Sequence, residues 1–350
     1  MTSQITDRYF LPSVTRISDL GEAPFDVQPI PRDHWQSGQY VAAELTGRAL
    51  EPFDLELADG RVGRAVPGDR LVGALGRRAA TLQAVGSFED VGDGLEIDLL
   101  TMAGVIGKCT SRSAFAGAVP SLRYLGHVHR DGRVKTMSDF VAPLEAERLK
   151  VPSILIIGTS MDAGKTLAAA RLIRLLRLRG TRVLGAKLTG VGRYRDILAM
   201  ADAGAEWIMD FVDAGLPSTV VPDEEFRCAT GPLLARVNQL GPDVAVLEAG
   251  ASPLEPYNGE QVVPLIADAV RMVVLCASDP YAAHGVMDAF DLQPTFISGR
   301  ATSTTAGSDL TARLTGRPAI DLLDPDAGCV VAELLESAFS ETLVGQGGFR

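Results

Sequence analysis

Two textures of apolar and polar positions divide the chain. Up to about residue 141 the apolar positions alternate over short distances and are interrupted by turn signals. These include Asp59-Gly60, Pro67-Gly68, the stretch Gly92 to Gly94, and Asp131-Gly132. Period-two alternation between glycine turns predicts short strands and a compact β-rich domain over residues 1–141. Within it, "RYLGHVHRDGRVKTMSDF" predicts a hairpin closed at Asp131-Gly132. Residues 142–152, "APLEAERLKVP", are polar and bounded by prolines, which predicts a linker carrying a short helix-like stretch.

From residue 153 the pattern changes. "SILIIG" is continuously apolar, as a strand buried on both faces requires. "KTLAAARLIRLLRLRG" then places apolar residues at helical spacing and stops at Gly180. Further strands are predicted in "TRVLGAKL", "PDVAVLEAG", "VRMVVLCAS" and "PTFISG", with helices in "ATGPLLARVNQLG", "GEQVVPLIADA", "AHGVMDAFDL" and "GSDLTARLTG". "YRDILAMADAGAEWIMDFVDAG" reads as helix broken near Gly204, and "PAIDLLD" as one more step of the alternation. Alternating strands and helices mean an α/β domain over 153–350 with a doubly wound, mostly parallel sheet. Ligands of such sheets sit beyond the carboxyl ends of the strands, here after Ile157, Ala186, Leu247 and Leu275.

Composition narrows the function. The formal charge of −11 argues against a general nucleic-acid binder, which needs basic density on its contact face. No run of 18 apolar residues suggests a membrane span, and the N-terminal stretch lacks a secretory pattern. Four scattered cysteines without a C-x-x-C pair fit a reduced, cytoplasmic protein without a zinc or disulfide framework.

The stretch with the clearest chemistry is "IIGTSMDAGKT", residues 156 to 166. Gly158 ends the first buried strand, and Gly164, Lys165 and Thr166 open the first helix, with five residues between the glycines. A helix start offers unpaired N–H groups and partial positive charge, so this loop predicts a phosphate cradle. Its residues are Gly158, Thr159, Ser160, Asp162, Ala163, Gly164, Lys165, Thr166 and Leu167. Lys165 would reach terminal phosphates; the Thr166 hydroxyl, with Glu248 from a strand end, would hold Mg²⁺. Asp162 is either a further metal ligand or base, or the acceptor of an Asx turn. Lys187, Arg193 and Arg195 are candidates for an anionic substrate group, and Ser252, Tyr257 and Asn258 for its polar groups. Asp210 and Asp213 read as a pair on one helical face, either solvent-facing or meeting an amine or Mg²⁺. His284 reads as structural or as a base. "MAGVIGKCTSRS", residues 102 to 113, reads as a strand–turn junction or as a cap over a substrate.

The loop "GTSMDAGKT" resembles that of dethiobiotin synthetase and of the cobyrinic and cobyric acid amidases, members of the P-loop NTPase class. "AKLTGVGRYRDILAMADAGAEWIMDFVDAG", "VAVLEAGASPLEPYNGE" and "VVLCASDP" are similar to a conserved family that includes D-glutamate N-acetyltransferase. The likeness spans roughly residues 151–325 and implies several properties. Lys165, Lys187 and Glu248 would be catalytic, with ATP and Mg²⁺ as cofactors and a small anionic metabolite or amino acid as partner. The implied reaction is ATP-dependent activation of a carboxylate or amine. Two alternatives are an N-acyltransferase holding acetyl-CoA at the loop and a regulatory or metal-delivery NTPase. Adenine is favoured as the base by resemblance alone, and such relatives often pair as homodimers. No relative suggests itself for residues 1 to 140.

Overall fold

The computed structural model describes residues 9–46, 52–250 and 252–340. The opening residues 1–8, part of the stretch read for a secretory pattern, lie outside it. The described chain forms two units. The first runs to Ala142 and takes back two later stretches, Val191–Arg195 and Val212–Val220. The second holds Pro143–Gly190, Asp196–Phe211 and the chain from Val221 onward.

The first unit is β-rich, as its alternation predicts. Its main sheet has ten strands among the described residues. The long strand Ser121–Arg130 pairs antiparallel with Tyr40–Leu45, Glu96–Leu99 and Asp26–Gln28. The hairpin at Asp131-Gly132 is present: Arg130 faces Arg133, and both turn residues have positive φ, 53° and 72°. That is the two-residue turn whose twist matches the flanking strands. Inward positions such as Val41, Leu45, Leu71, Leu75, Ile97, Ile106 and Leu122 form one apolar core. "MAGVIGKCTSRS" is mostly the strand Val105–Arg112, and Lys108 is paired there with Glu96 and Asp98.

Two buried polar groups complete this unit. Glu56 accepts hydrogen bonds from the Ser13 hydroxyl at 2.5 Å and from the backbone N–H groups of Tyr194 and Arg195 at 2.7 and 2.8 Å. A carboxylate thus caps the start of the helix Tyr194–Asp202, where unpaired N–H groups favour negative charge. His127, fully buried, lies between the Tyr124 hydroxyl at 2.6 Å and the Gln39 amide oxygen at 3.1 Å. Its ring meets that of Trp35 with centroids 5.3 Å apart.

The second unit is the α/β domain, built on six parallel strands among the described residues. Their order is Trp207–Asp210, Val183–Thr189, Val244–Ala249, Ser153–Gly158, Val270–Cys276 and Phe296–Ser298. The helix Lys165–Arg177 turns Ala168, Ala169, Leu172, Ile173 and Leu176 inward. Burying each of the larger three contributes on the order of 2 kcal/mol.

Four sequence expectations are corrected. Residues 142–152 contain no helix; they run irregularly, with Leu149 buried and its N–H donated to the Leu265 carbonyl. The helix expected across "YRDILAMADAGAEWIMDFVDAG" ends at Asp202, and "WIMD" is instead the outer strand Trp207–Asp210. A short apolar run carries no period of its own, so backbone pairing beside Val183–Thr189 decides it. Asp210 and Asp213 consequently do not form a helical pair: Asp210 is on a strand of the second unit, and Asp213 belongs to the first, 2.7 Å from Arg16. "PAIDLLD" adds no strand and contributes one isolated bridge, Ala319 to Ile297.

Candidate functional site: the loop after the first parallel strand

The strand Ser153–Gly158 is buried along its whole length and releases the chain into the loop that precedes Lys165. Gly164 takes φ 107°, a left-handed conformation that glycine adopts without strain, and ends the loop where the helix begins. The loop is backed by Gly299, at the end of the last parallel strand. A Cβ on Gly299 would sit 2.1 Å from the Ala163 carbonyl oxygen, and its φ is 93°. Gly299→Ala is therefore expected to push the loop from its seat, at about 1–3 kcal/mol of stability. Thermal unfolding checks this, and an unchanged midpoint would overturn the tight seating.

Lys165 is 6% exposed and donates its ammonium to the Ser160 carbonyl at 2.8 Å. The Thr159 hydroxyl joins the loop to the next strand end, accepting from the Ser278 N–H at 3.0 Å. The Thr166 hydroxyl donates to Glu248 at 3.2 Å. Asp162 stands apart from this pair, exposed and with φ 58°. Leu167 is 45% exposed.

Glu248 belongs to a row that sequence reading did not assemble. In register across the sheet stand Asp210, Lys187, Glu248, Ile156, Val274 and Phe296. Residues in one row project from the same face, so one half of the row is charged and the other half apolar. Asp196, from the helix Tyr194–Asp202, closes on Lys187 at 2.5 Å. Burial works against the Lys187 ammonium, and the carboxylates of Asp196, Glu248 and Asp210 overcome it, holding its pKa above the ordinary lysine value. Burial pushes the Glu248 carboxyl up, with Lys187, Lys165 and the Thr166 hydroxyl pulling the other way. Gly250 leaves room beside them: a Cβ there would be 3.7 Å from both the Glu248 carboxylate and the Lys165 side chain.

Lys187 thus holds an internal carboxylate. Asp196 is the partner that sequence reading missed, because its one signal is a position nine residues further on, across a loop and a helix start. The other substrate candidates fall elsewhere. Arg193 and Arg195 belong to the first unit, where the Arg195 N–H is held by Glu56. The Ser252 hydroxyl accepts from the Leu254 N–H, Tyr257 is buried, and the Asn258 side chain donates to the Val221 carbonyl. His284 is exposed on the helix Pro280–Phe290. Buried Cys276, whose thiol burial pushes up to about 12, is no nucleophile at neutral pH.

The second unit thus pairs a parallel sheet with a glycine-bounded loop that opens a helix with Lys-Thr, beside a carboxylate on the neighbouring strand. No known family model matches the chain, and no curated protein matches it. Solved structures do align with it. The signal recognition particle receptor FtsY from Elizabethkingia anophelis is 15% identical over 54% of this chain and 66% of that one, with TM-score 0.34. This chain therefore spans just under two thirds of that receptor's length. The hydrogenase maturation factor HypB from Archaeoglobus fulgidus is 12% identical over 54% of this chain and 90% of that one, TM-score 0.35. A ParA family ATPase from Chlorobium tepidum is 14% identical over 57% and 97%, TM-score 0.32. No helix of the described residues is long and apolar enough to cross a membrane.

Proposed function

We infer that the second unit binds ATP with Mg²⁺ at the loop Gly158–Thr166 and uses it to activate a small amino acid or related metabolite. The observation that carries this reading is the contact of the Thr166 hydroxyl with buried Glu248, beside the ammonium of Lys165. A hydroxyl and a carboxylate are the hard oxygen donors that suit Mg²⁺, which keeps most of its waters and needs few protein ligands. Among the described residues no group of three or more His, Cys, Asp or Glu is arranged to hold a metal ion, so those two oxygens and the phosphates would share it. Bound there, Mg²⁺ supplies charge neutralisation for phosphoryl transfer.

The chain's own residues do the rest. Backbone N–H groups at the start of the helix Lys165–Arg177 bind phosphate oxygens. Lys165 leaves the Ser160 carbonyl and reaches the terminal phosphate, a positioning role that a compact, flexible cation can fill. Asp196, Asp210 and Glu248 outnumber the ammonium groups of Lys187 and Lys165 in this region. That imbalance supports an amine on the second substrate over a carboxylate.

Thermal unfolding of the full chain with ATP-Mg²⁺, GTP-Mg²⁺ or acetyl-CoA tests the reading. ATP-Mg²⁺ at 100 times its Kd should stabilise by about 2.7 kcal/mol. Protection by acetyl-CoA with ATP silent would replace this reading with an N-acyltransferase. Protection by GTP alone would move the base preference to guanine, and protection by none of the three would sink the nucleotide reading.

A further inference from the structure

We propose that the second unit carries a separate binding site for a small carboxylate with an apolar body, in the cleft between the C-terminal half of the helix Lys165–Arg177 and the chain from Leu322 to Val331. The cleft has a volume of about 150 Å³ and shares no residue with the loop Gly158–Thr166. That volume suits a chain of a few carbon atoms.

Its lining combines two kinds of group. Leu175, Leu322 and Val331 give it an apolar floor. Leu178, also at the cleft, is 75% exposed, and Leu323 and Val330, each next to a lining residue, are 55% and 51% exposed. A large apolar side chain left open beside an apolar floor gains by being covered. Arg171 and Arg174 provide the charge. Arg171 is fixed by its Nε donating to the Leu322 carbonyl at 3.0 Å, which leaves its two terminal nitrogens without an acceptor among the described residues. The Arg174 side chain, one turn further along, has no hydrogen bond or ion pair among the described residues. Asp324 is the single acidic group of the lining, and its carboxylate already accepts from the Asp326 N–H at 2.9 Å. Within the lining two guanidinium groups stand against one carboxylate, with Asp321 and Asp326 flanking the segment. A fork of N–H donors beside an apolar floor recognises a carboxylate that carries a hydrocarbon.

The cleft also contains a ready blocking position. Gly328 lines it, stands in the first turn of the helix Ala327–Ala338, and a Cβ there would meet nothing within 4 Å. Gly328→Leu therefore fills the open space and improves helix propensity, so the variant is expected to fold at least as well.

Hexanoate, hexanol and hexylamine are the probes, titrated into the full chain by calorimetry and thermal shift. Hexanoate should bind saturably, with hexanol much weaker and hexylamine silent. Arg174→Ala should weaken hexanoate by about tenfold or more, the loss of a charge-assisted hydrogen bond. Gly328→Leu should abolish binding while the unfolding midpoint holds or rises. Lys165→Ala should leave hexanoate binding unchanged, so failure of the nucleotide reading does not touch this one. Equal binding of hexylamine, unweakened binding in Gly328→Leu, or no binding of hexanoate at millimolar concentration would each overturn the proposal.

Discussion

Lys165→Ala is expected to abolish the stabilisation of this protein by ATP-Mg²⁺. In the parent chain, saturating nucleotide should raise the unfolding midpoint by about 5–10 °C, the equivalent of about 2.7 kcal/mol at 100 times Kd. In the variant the midpoint should be the same with and without ligand. The reason is geometric before it is electrostatic. Lys165 is the first residue of its helix, 6% exposed, and rests its ammonium on the carbonyl of Ser160 within the loop itself. That carbonyl is a placeholder, and a phosphate oxygen is a stronger acceptor for the same donor. Alanine removes the cation that both phosphate and Glu248 see. The variant will also be less stable without ligand, so the quantity to compare is the ligand-induced shift within each protein. Val62→Ala, at an exposed position of the first unit, is the control and should keep the full shift. A Lys165→Ala protein that keeps it too would show that the loop holds no phosphate.

The second large effect is a loss of stability on mild acidification, centred on His127. Burial, with a smaller contribution from nearby His129, pushes its pKa from the ordinary 6.5 down to about 3. The unfolded chain therefore takes up a proton at this ring below about pH 6.5, while the folded chain refuses it until about pH 3. Stability is fully present above pH 6.5 and falls as pH drops through that window. One pKa unit corresponds to about 1.4 kcal/mol, so the loss at pH 5 should be about 2 kcal/mol. Glu248, whose carboxyl is raised, works in the opposite direction. Glu89, held low mainly by its hydrogen bond from Arg77, adds to the loss only below the ordinary carboxylate range. Comparing the parent with His127→Gln between pH 7.5 and 5 isolates the ring. Trp35, packed against His127, reports on the first unit if the other tryptophan is replaced by Trp207→Phe. Parallel pH dependences in parent and variant would exclude His127 as the cause.

The glycine loop that ends in Lys-Thr was legible because everything that shapes it is local in the chain. A buried apolar run, two glycines and Lys-Thr at a helix start lie within residues 153–166. Glu248 was legible for a related reason: a carboxylate at the end of an apolar strand has few inexpensive explanations. The charged row was not legible, because Asp210, Lys187 and Glu248 meet only through strand order, across the helices Tyr194–Asp202 and Asp223–Leu240 and their loops. Asp210 was hidden further by "WIMD", whose apolar run fits a helix as well as an outer strand. In the first unit the turns announced themselves, and the hairpin at Asp131-Gly132 is where its residues place it. The cap that Glu56 provides spans 138 positions to Tyr194, and no local signal carries a contact of that range.

The return of Val191–Arg195 and Val212–Val220 to the first unit bears on how this molecule can be divided. A cut after Ala142 would separate Glu56 from the N–H groups it caps and Arg16 from Asp213, so the N-terminal fragment would lack two stretches of its own unit. The backbone passes back and forth between the two units, so neither can be lifted out as one continuous segment, unlike modules strung in series.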